Sequence, residues 1–186
     1  MQEYENFVTS AECQKIISLI DNYVKELNIK NYISALPLIL PDEKLNQILA
    51  KLKKEISNIA NSPMTNLEPI LATIYPVNSE YKEHHDSFYI EENSFYTKEM
   101  YECNMSHGGQ RTKTALLYLN HDFEGGQTEF PKHNLSINPK AGKLVLWDNV
   151  DHDNQVNKDM VHAAKVVTKG TKYVLVVYIR EKEYKA

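Results

Sequence analysis

The stretch VHAAKVVTKGTKYVLVVYIR, residues 161–180, decides the fold. From Lys172 onward its apolar residues recur at every second position, so Lys172, Val174, Val176 and Tyr178 share one face and Tyr173, Leu175, Val177 and Ile179 the other. That is the period of a β-strand. Working outward, the ranges 70–77, 114–120 and 143–147 show similar short runs, and turn signals separate them at Gly125-Gly126 and Pro139-Lys140-Ala141-Gly142. The spacing is that of an all-β sandwich or barrel. The sequence therefore predicts a mostly β fold, a jelly-roll-type barrel over residues 67–181.

Residues 1–66 read differently. Thr9 and Glu12 have the spacing of a capping box, and Ile16, Ile17, Leu19, Ile20, Tyr23, Val24 and Leu27 follow at helical intervals. This predicts one amphipathic helix over 10–27. A second begins after Pro41, with Leu45, Ile48, Leu49, Leu52, Ile56 and Ile59 as its apolar stripe, and ends near Asn61-Ser62-Pro63. Both helices are expected outside the barrel, and no repeat, low-complexity tract or linker divides residues 1–186 into more than one domain.

The composition is that of an ordinary folded chain: 42% of the 186 residues are hydrophobic and 25% charged, which argues against collagen and disorder. A chain of this length buries roughly 70% of its unfolded surface, enough for a core without staples. The balance of 21 Lys+Arg against 25 Asp+Glu lacks the basic footprint of a nucleic-acid binder. Cys13 and Cys103 are too few for a disulfide scaffold or a thiolate zinc site. The start, MQEYENFVTSAE, has no basic and apolar leader, and no apolar run reaches the ~18 residues of a membrane span. The expectation is a cytoplasmic protein without membrane or nucleic-acid partners.

His84 and Asp86 are two apart, and in a strand such residues project to one face and could grip one ion. A pair of this kind also occurs as a solvated edge or a hydrogen-bonded couple. His162 is the candidate third ligand, and two imidazoles with one carboxylate leave positions open, as in non-haem Fe(II) oxygenases. Lys172 shares its face with inward apolar residues, and a buried ammonium is costly unless paired. A dicarboxylic acid would resolve that cost; the plainer reading is a flipped strand with Lys172 in water. Residues 87–110, polar and rich in tyrosine, form either a functional lid with Gly108-Gly109 as its hinge or a disordered loop.

Over residues 70–181 the chain resembles the 2-oxoglutarate- and Fe(II)-dependent dioxygenases, in particular their prolyl 4-hydroxylase branch. The matching strings are Tyr75, His84-x-Asp86, GGQRTKTALLYLN (108–120), FEGGQTEFP (123–131), PKAGKLVLW (139–147), and His162 followed ten residues later by Lys172. The resemblance implies a double-stranded β-helix core, with His84, Asp86 and His162 as iron ligands and Lys172 pairing the distal carboxylate of 2-oxoglutarate. It implies that Tyr75 and Thr128 hydrogen-bond that carboxylate; without it they read as a core tyrosine and a turn threonine. Tyr81, Arg111 and Tyr178 match positions on the substrate side, where Tyr81 otherwise reads as a strand aromatic and Arg111 as a surface cation closing the loop.

The activity implied is hydroxylation of an unactivated C–H bond with Fe(II), 2-oxoglutarate and O2, ascorbate as reductant, and release of succinate and CO2. A prolyl residue of a peptide or protein is the substrate favoured by the resemblance. Hydroxylation of a free amino acid or small metabolite is the alternative, and a catalytically idle metal- or 2-oxoglutarate-sensing jelly roll a second one. Three departures fall on the substrate side: Val166 where the family usually has proline, Tyr178 where it commonly has tryptophan, and a longer stretch between Asp86 and Arg111.

Overall fold

The computed structural model describes residues 1–26, 35–37, 43–90 and 97–185. Leu27 and Pro41, expected at a helix end and a helix start, and residues 91–96 of the polar stretch lie outside the described residues. In chain order the elements are β1 (Gln2–Tyr4), α1 (Ser10–Glu26), β2 (Ala35–Pro37), α2 (Glu43–Ala60), β3 (Leu71–Tyr75), β4 (Tyr81–His84), α3 (Lys98–Ser106), β5 (Arg111–Tyr118), β6 (Glu124–Gly125), β7 (Thr128–Phe130), β8 (Leu135–Ile137), β9 (Leu144–Asp148), β10 (His162–Ala164), β11 (Val167–Lys169) and β12 (Lys172–Arg180).

The strands make a six-stranded sheet in the order β1-β9-β5-β12-β3-β2, a four-stranded sheet β4-β10-β7-β8 and a short pair β11-β6. Among the described residues the strand pairings are all antiparallel. This is the double-stranded β-helix, with helices against the large sheet's outer face.

The period-two reading of β12 explains how the large sheet serves two environments. Leu175, Val177 and Ile179 join Ala72 and Ile74 of β3, Ala115 and Leu117 of β5, and Leu144 and Leu146 of β9 in one buried cluster that receives Cys13, Ile16 and Ile20 of α1 and Leu49, Leu52 and Ile56 of α2. The alternate residues, including Val174, Tyr75, Leu116, Tyr118, Val145 and Trp147, face the small sheet in a second cluster with Phe130 and Ile137. Ile16 and Ile56 are fully buried, each contributing about 2 kcal/mol through burial alone. The helix limits follow local rules. Thr9 Oγ1 accepts from the Glu12 amide (3.2 Å) while Glu12 Oε2 accepts from the Thr9 amide (3.0 Å), closing the expected capping box at α1. Asn61, just beyond α2, takes a left-handed φ of 50°, which ends the helix.

Three features depart from the sequence reading. β1 and β2 are strands where the first sixty residues read as helical, because three-residue segments carry no periodicity and are recruited by pairing with β9 and β3. α3 lies inside the stretch read as patternless. It has no buried residue of its own; the Thr97 hydroxyl caps its first turn by accepting from the Met100 amide (3.2 Å), and Arg180 Nη1 donates to the Asn104 carbonyl near its end (3.0 Å). Finally, Gly108 and Gly109 are not a free hinge. Both have positive φ and press on the C-terminal segment, where an added Cβ would meet Glu183 O at 2.7 Å and Glu181 Oε2 at 2.6 Å.

Candidate active site

The register of the two sheets assembles the site. In the small sheet His162, first residue of β10, lies directly opposite His84, last residue of β4, and Ala164 lies opposite Thr128. In the large sheet Lys172 lies opposite Tyr75. All six of these residues, together with Asp86 and Tyr178, line one cavity of about 220 Å³ between the sheets, walled by Leu116, Trp147, Val174 and Val176. Asp86 does not share a strand face with His84 as the spacing predicted. It sits in the bend past the end of β4 and is drawn across by β5, whose Thr114 Oγ1 donates to Asp86 Oδ2 at 2.7 Å.

His84, Asp86 and His162 bring one ligand atom each to within 4.8 Å of one another and could hold a metal ion. His84 Nε2 is 3.7 Å from Asp86 Oδ1, and His162 Nε2 is 3.5 Å from Asp86 Oδ2. Each ring is oriented through its other nitrogen: Nδ1–H of His84 donates to the Lys82 carbonyl (2.7 Å) and Nδ1–H of His162 to the Met160 carbonyl (3.0 Å). That tautomer points both Nε2 lone pairs at the carboxylate. Burial, with the neighbouring His162 second, pushes His84 down to about 4, so its imidazole is a neutral ligand at physiological pH. Two imidazoles and a carboxylate suit a divalent iron with open positions.

Elsewhere in the cavity wall, Lys172 is 1% exposed, which rules out the flipped strand. Its Nζ donates to the Gly126 carbonyl (2.7 Å) and stands 4.9 Å and 5.5 Å from the ring centres of Tyr75 and Tyr118. Among the described residues no carboxylate pairs with it. Burial holds the ammonium down at about 7, so an anion entering the cavity would supply the missing charge. The turn that presents the Gly126 carbonyl needs positive φ at both Gly125 (78°) and Gly126 (67°). Thr128 Oγ1 accepts from the Tyr118 hydroxyl at 2.6 Å, leaving its own proton free to turn toward the cavity. Tyr75 is held above the usual phenol range, chiefly by burial, and stays a neutral donor. One ammonium and two hydroxyls beside apolar walls fit a carboxylate end of 2-oxoglutarate.

The substrate-side residues part company. Tyr81 is 49% exposed at the mouth, its ring centre 3.9 Å from that of His84. Tyr178 lines the cavity. Arg111 stands behind it, its guanidinium 3.5 Å from the Tyr178 ring centre, and is not the surface cation of the plainer reading. It makes a two-pronged pair with buried Glu68, Nε to Oε1 at 2.7 Å and Nη2 to Oε2 at 2.8 Å. Arg180 joins the same carboxylate and donates to the Asn104 and Gly109 carbonyls. Gln110 pins the stretch at its neck, donating to the Phe88 carbonyl (2.6 Å) and accepting from its amide (2.7 Å).

Sequence reasoning missed Glu68, Thr114, Asn149 and Gln110. Thr114 carried a signal, a polar residue in phase with the inward Leu116; an isolated Glu68 carried none.

With this geometry in place, comparisons with known proteins give a consistent result. The family model for the 2OG-Fe(II) oxygenase superfamily matches residues 70–180. A protein of Acanthamoeba polyphaga mimivirus, provisionally named a prolyl 4-hydroxylase, is 30% identical over 185 residues, covering 96% of this chain and 73% of the viral one. The viral collagen prolyl hydroxylase of Paramecium bursaria Chlorella virus-1, solved with 2-oxoglutarate, superposes with a TM-score of 0.71 at 20% identity, covering 96% of this chain and 94% of that one. A Trichoplax adhaerens prolyl hydroxylase, solved with a peptide fragment of the hypoxia inducible factor oxygen degradation domain, gives 0.63 at 16% identity over 97% and 83% of the two chains. At these identities the solved structures establish the shared fold.

Proposed function

The chain belongs to the 2OG-Fe(II) oxygenase superfamily, on its prolyl 4-hydroxylase-like branch, and from that premise we propose that it hydroxylates a prolyl residue of a peptide or protein. The observation that carries the reading is the cavity itself, with a His-Asp-His cluster and a buried ammonium lacking any carboxylate partner among the described residues.

In this reading His84, Asp86 and His162 hold the iron, and Lys172 with Thr128 and Tyr75 holds the distal carboxylate of 2-oxoglutarate. When bound, iron and 2-oxoglutarate supply the oxidising power: with O2, the acid is decarboxylated to succinate and CO2 and an oxygen atom is delivered to a substrate C–H bond. The chain's own tasks are positional. The backbone carbonyls of Lys82 and Met160 keep the two imidazoles turned inward, and Leu116, Trp147, Val174 and Val176 wall the cavity with apolar surface. At its mouth, exposed Tyr81 offers an aromatic face to a polypeptide. The peptide in the Trichoplax complex supports a polypeptide substrate.

Ascorbate is the expected reductant. The free cysteines Cys13 and Cys103 fit a reducing, cytoplasmic compartment, and among the described residues no helix is long and apolar enough to cross a membrane. We take residues 1–186 as one catalytic domain, with the jelly roll over 67–181 and α1 and α2 within 1–66, where the short strands β1 and β2 join the large sheet.

The test is anaerobic reconstitution with Fe(II), then O2 and 2-oxoglutarate, scoring succinate release and a one-oxygen mass gain on proline-containing peptides, extract proteins and free amino acids. Peptide turnover is expected, with Tyr81→Ala raising the peptide KM and sparing uncoupled 2-oxoglutarate decay. Efficient hydroxylation of a free amino acid while every peptide fails would replace this reading by the small-molecule one.

A further inference from the structure

Behind Asp86 runs a short circuit of buried hydrogen bonds. Asn149 Nδ2 donates to Thr114 Oγ1 at 2.8 Å, Thr114 Oγ1 donates to Asp86 Oδ2 at 2.7 Å, and Ser87 Oγ, next to Asp86 in the chain, donates to the Asn149 carbonyl at 3.0 Å. All four residues are buried. A hydroxyl has a single proton. Since the amide N–H can only donate and the carboxylate can only accept, that proton lies toward the carboxylate. Asp86 Oδ2 is thereby engaged in a charge-assisted hydrogen bond, while Oδ1 accepts none among the described residues.

We propose that Thr114, oriented by Asn149, is a positioning residue of the metal centre that makes Asp86 meet the ion through Oδ1 alone. Oδ2, already holding a buried hydroxyl proton, is the weaker electron-pair donor of the two oxygens, and a two-oxygen grip would occupy a coordination position that 2-oxoglutarate and O2 require. The circuit ties Asp86 to two paired strands of the large sheet, β5 through Thr114 and β9 through Asn149 just past its end, so the orientation is built into that sheet.

The proposal rests on the reading of His84, Asp86 and His162 as metal ligands, and the experiment separates the two. The full chain is titrated with Co(II), a redox-stable stand-in, followed by its visible d–d spectrum. Wild type should bind one ion, lost in His162→Ala. Thr114→Val, close in shape but lacking the hydroxyl, should bind about 10- to 100-fold more weakly, as happens when a group that orients a metal ligand is lost, with an altered spectrum in a chain that stays folded without the ion. Thr114→Ser should restore wild-type affinity and spectrum, and Asn149→Ala should fall between. Wild-type affinity and spectrum in Thr114→Val, or a Thr114→Ser variant no better than Thr114→Val, overturns the proposal. If Thr114→Val does not fold, Asn149→Ala decides, wild-type behaviour again refuting it. A wild-type chain that binds no Co(II) overturns the metal reading and this proposal with it.

Discussion

Replacing Lys172 with methionine should move two properties in opposite directions. The ammonium is 1% exposed, has one carbonyl acceptor and no carboxylate partner among the described residues, and burial lowers it from an ordinary 10.5 to about 7. A depression of that size corresponds to a cost of about 5 kcal/mol for holding the charged form in the folded chain. The unfolded chain therefore binds more protons between about pH 7 and 10, so the cost is complete below pH 7 and fades as pH rises toward 10. Methionine keeps the aliphatic stem against Tyr75 and Tyr118 without the charge. The melting temperature of the ligand-free variant should exceed that of wild type at pH 6, at about 2–4 °C per kcal/mol for a chain of this size, and the gain should shrink toward pH 10. Affinity for 2-oxoglutarate should fall instead. Its carboxylate would be buried without a partner, a loss of about 3–5 kcal/mol, or roughly 10²- to 10³-fold or more. Scanning calorimetry at pH 6 and 9 and isothermal titration of the metal-loaded protein without O2 measure both. An unchanged dissociation constant, or a variant that melts below wild type at pH 6, would refute the reasoning.

The same lysine sets a pH dependence in wild type: above about pH 7 the dianion must recruit a proton to Lys172 as it binds, so 2-oxoglutarate affinity should weaken about tenfold per pH unit. Titrations in buffers of different ionisation enthalpy should show proton uptake, and a flat profile from pH 7 to 9 would count against it. Gly126→Ala, with its φ of 67° and its new Cβ 3.2 Å from Lys172 Cδ and 2.8 Å from the Phe123 ring, should also weaken 2-oxoglutarate binding while sparing the metal. Glu68→Gln leaves Arg111 and Arg180 facing a neutral amide. Breaking a buried pair of this kind costs about 3–5 kcal/mol, so the variant should melt lower and be cut faster by protease within 97–110; wild-type melting and cleavage would show the network to be dispensable.

How much of this was open to reading along the chain depends on how local each feature is. The capping box of Thr9 and Glu12, the stop at Asn61 and the alternation through Lys172, Val174, Val176 and Tyr178 are set by neighbours a few residues away, and the structure keeps all of them. The His-x-Asp pair was visible for a reason that did not hold: Asp86 lies beyond the strand, and Thr114 brings it into place. Arg111 was read as a substrate contact, yet it stands behind Tyr178 in a pair with Glu68, a bond that was invisible because a lone acidic residue carries no periodic signal.

By itself, then, the order of residues determined which side chains share a strand face and which residue types are available for chemistry, since a two-residue period is a property of the backbone. Tertiary structure alone decided that His84 lies opposite His162 and Lys172 opposite Tyr75, that α3 forms at all, and that Asp86 Oδ2 is claimed by Thr114. Register, capping by Arg180 and the direction of a hydroxyl proton are contacts between segments distant in sequence. They exist only once the folding of both sheets has brought those segments together.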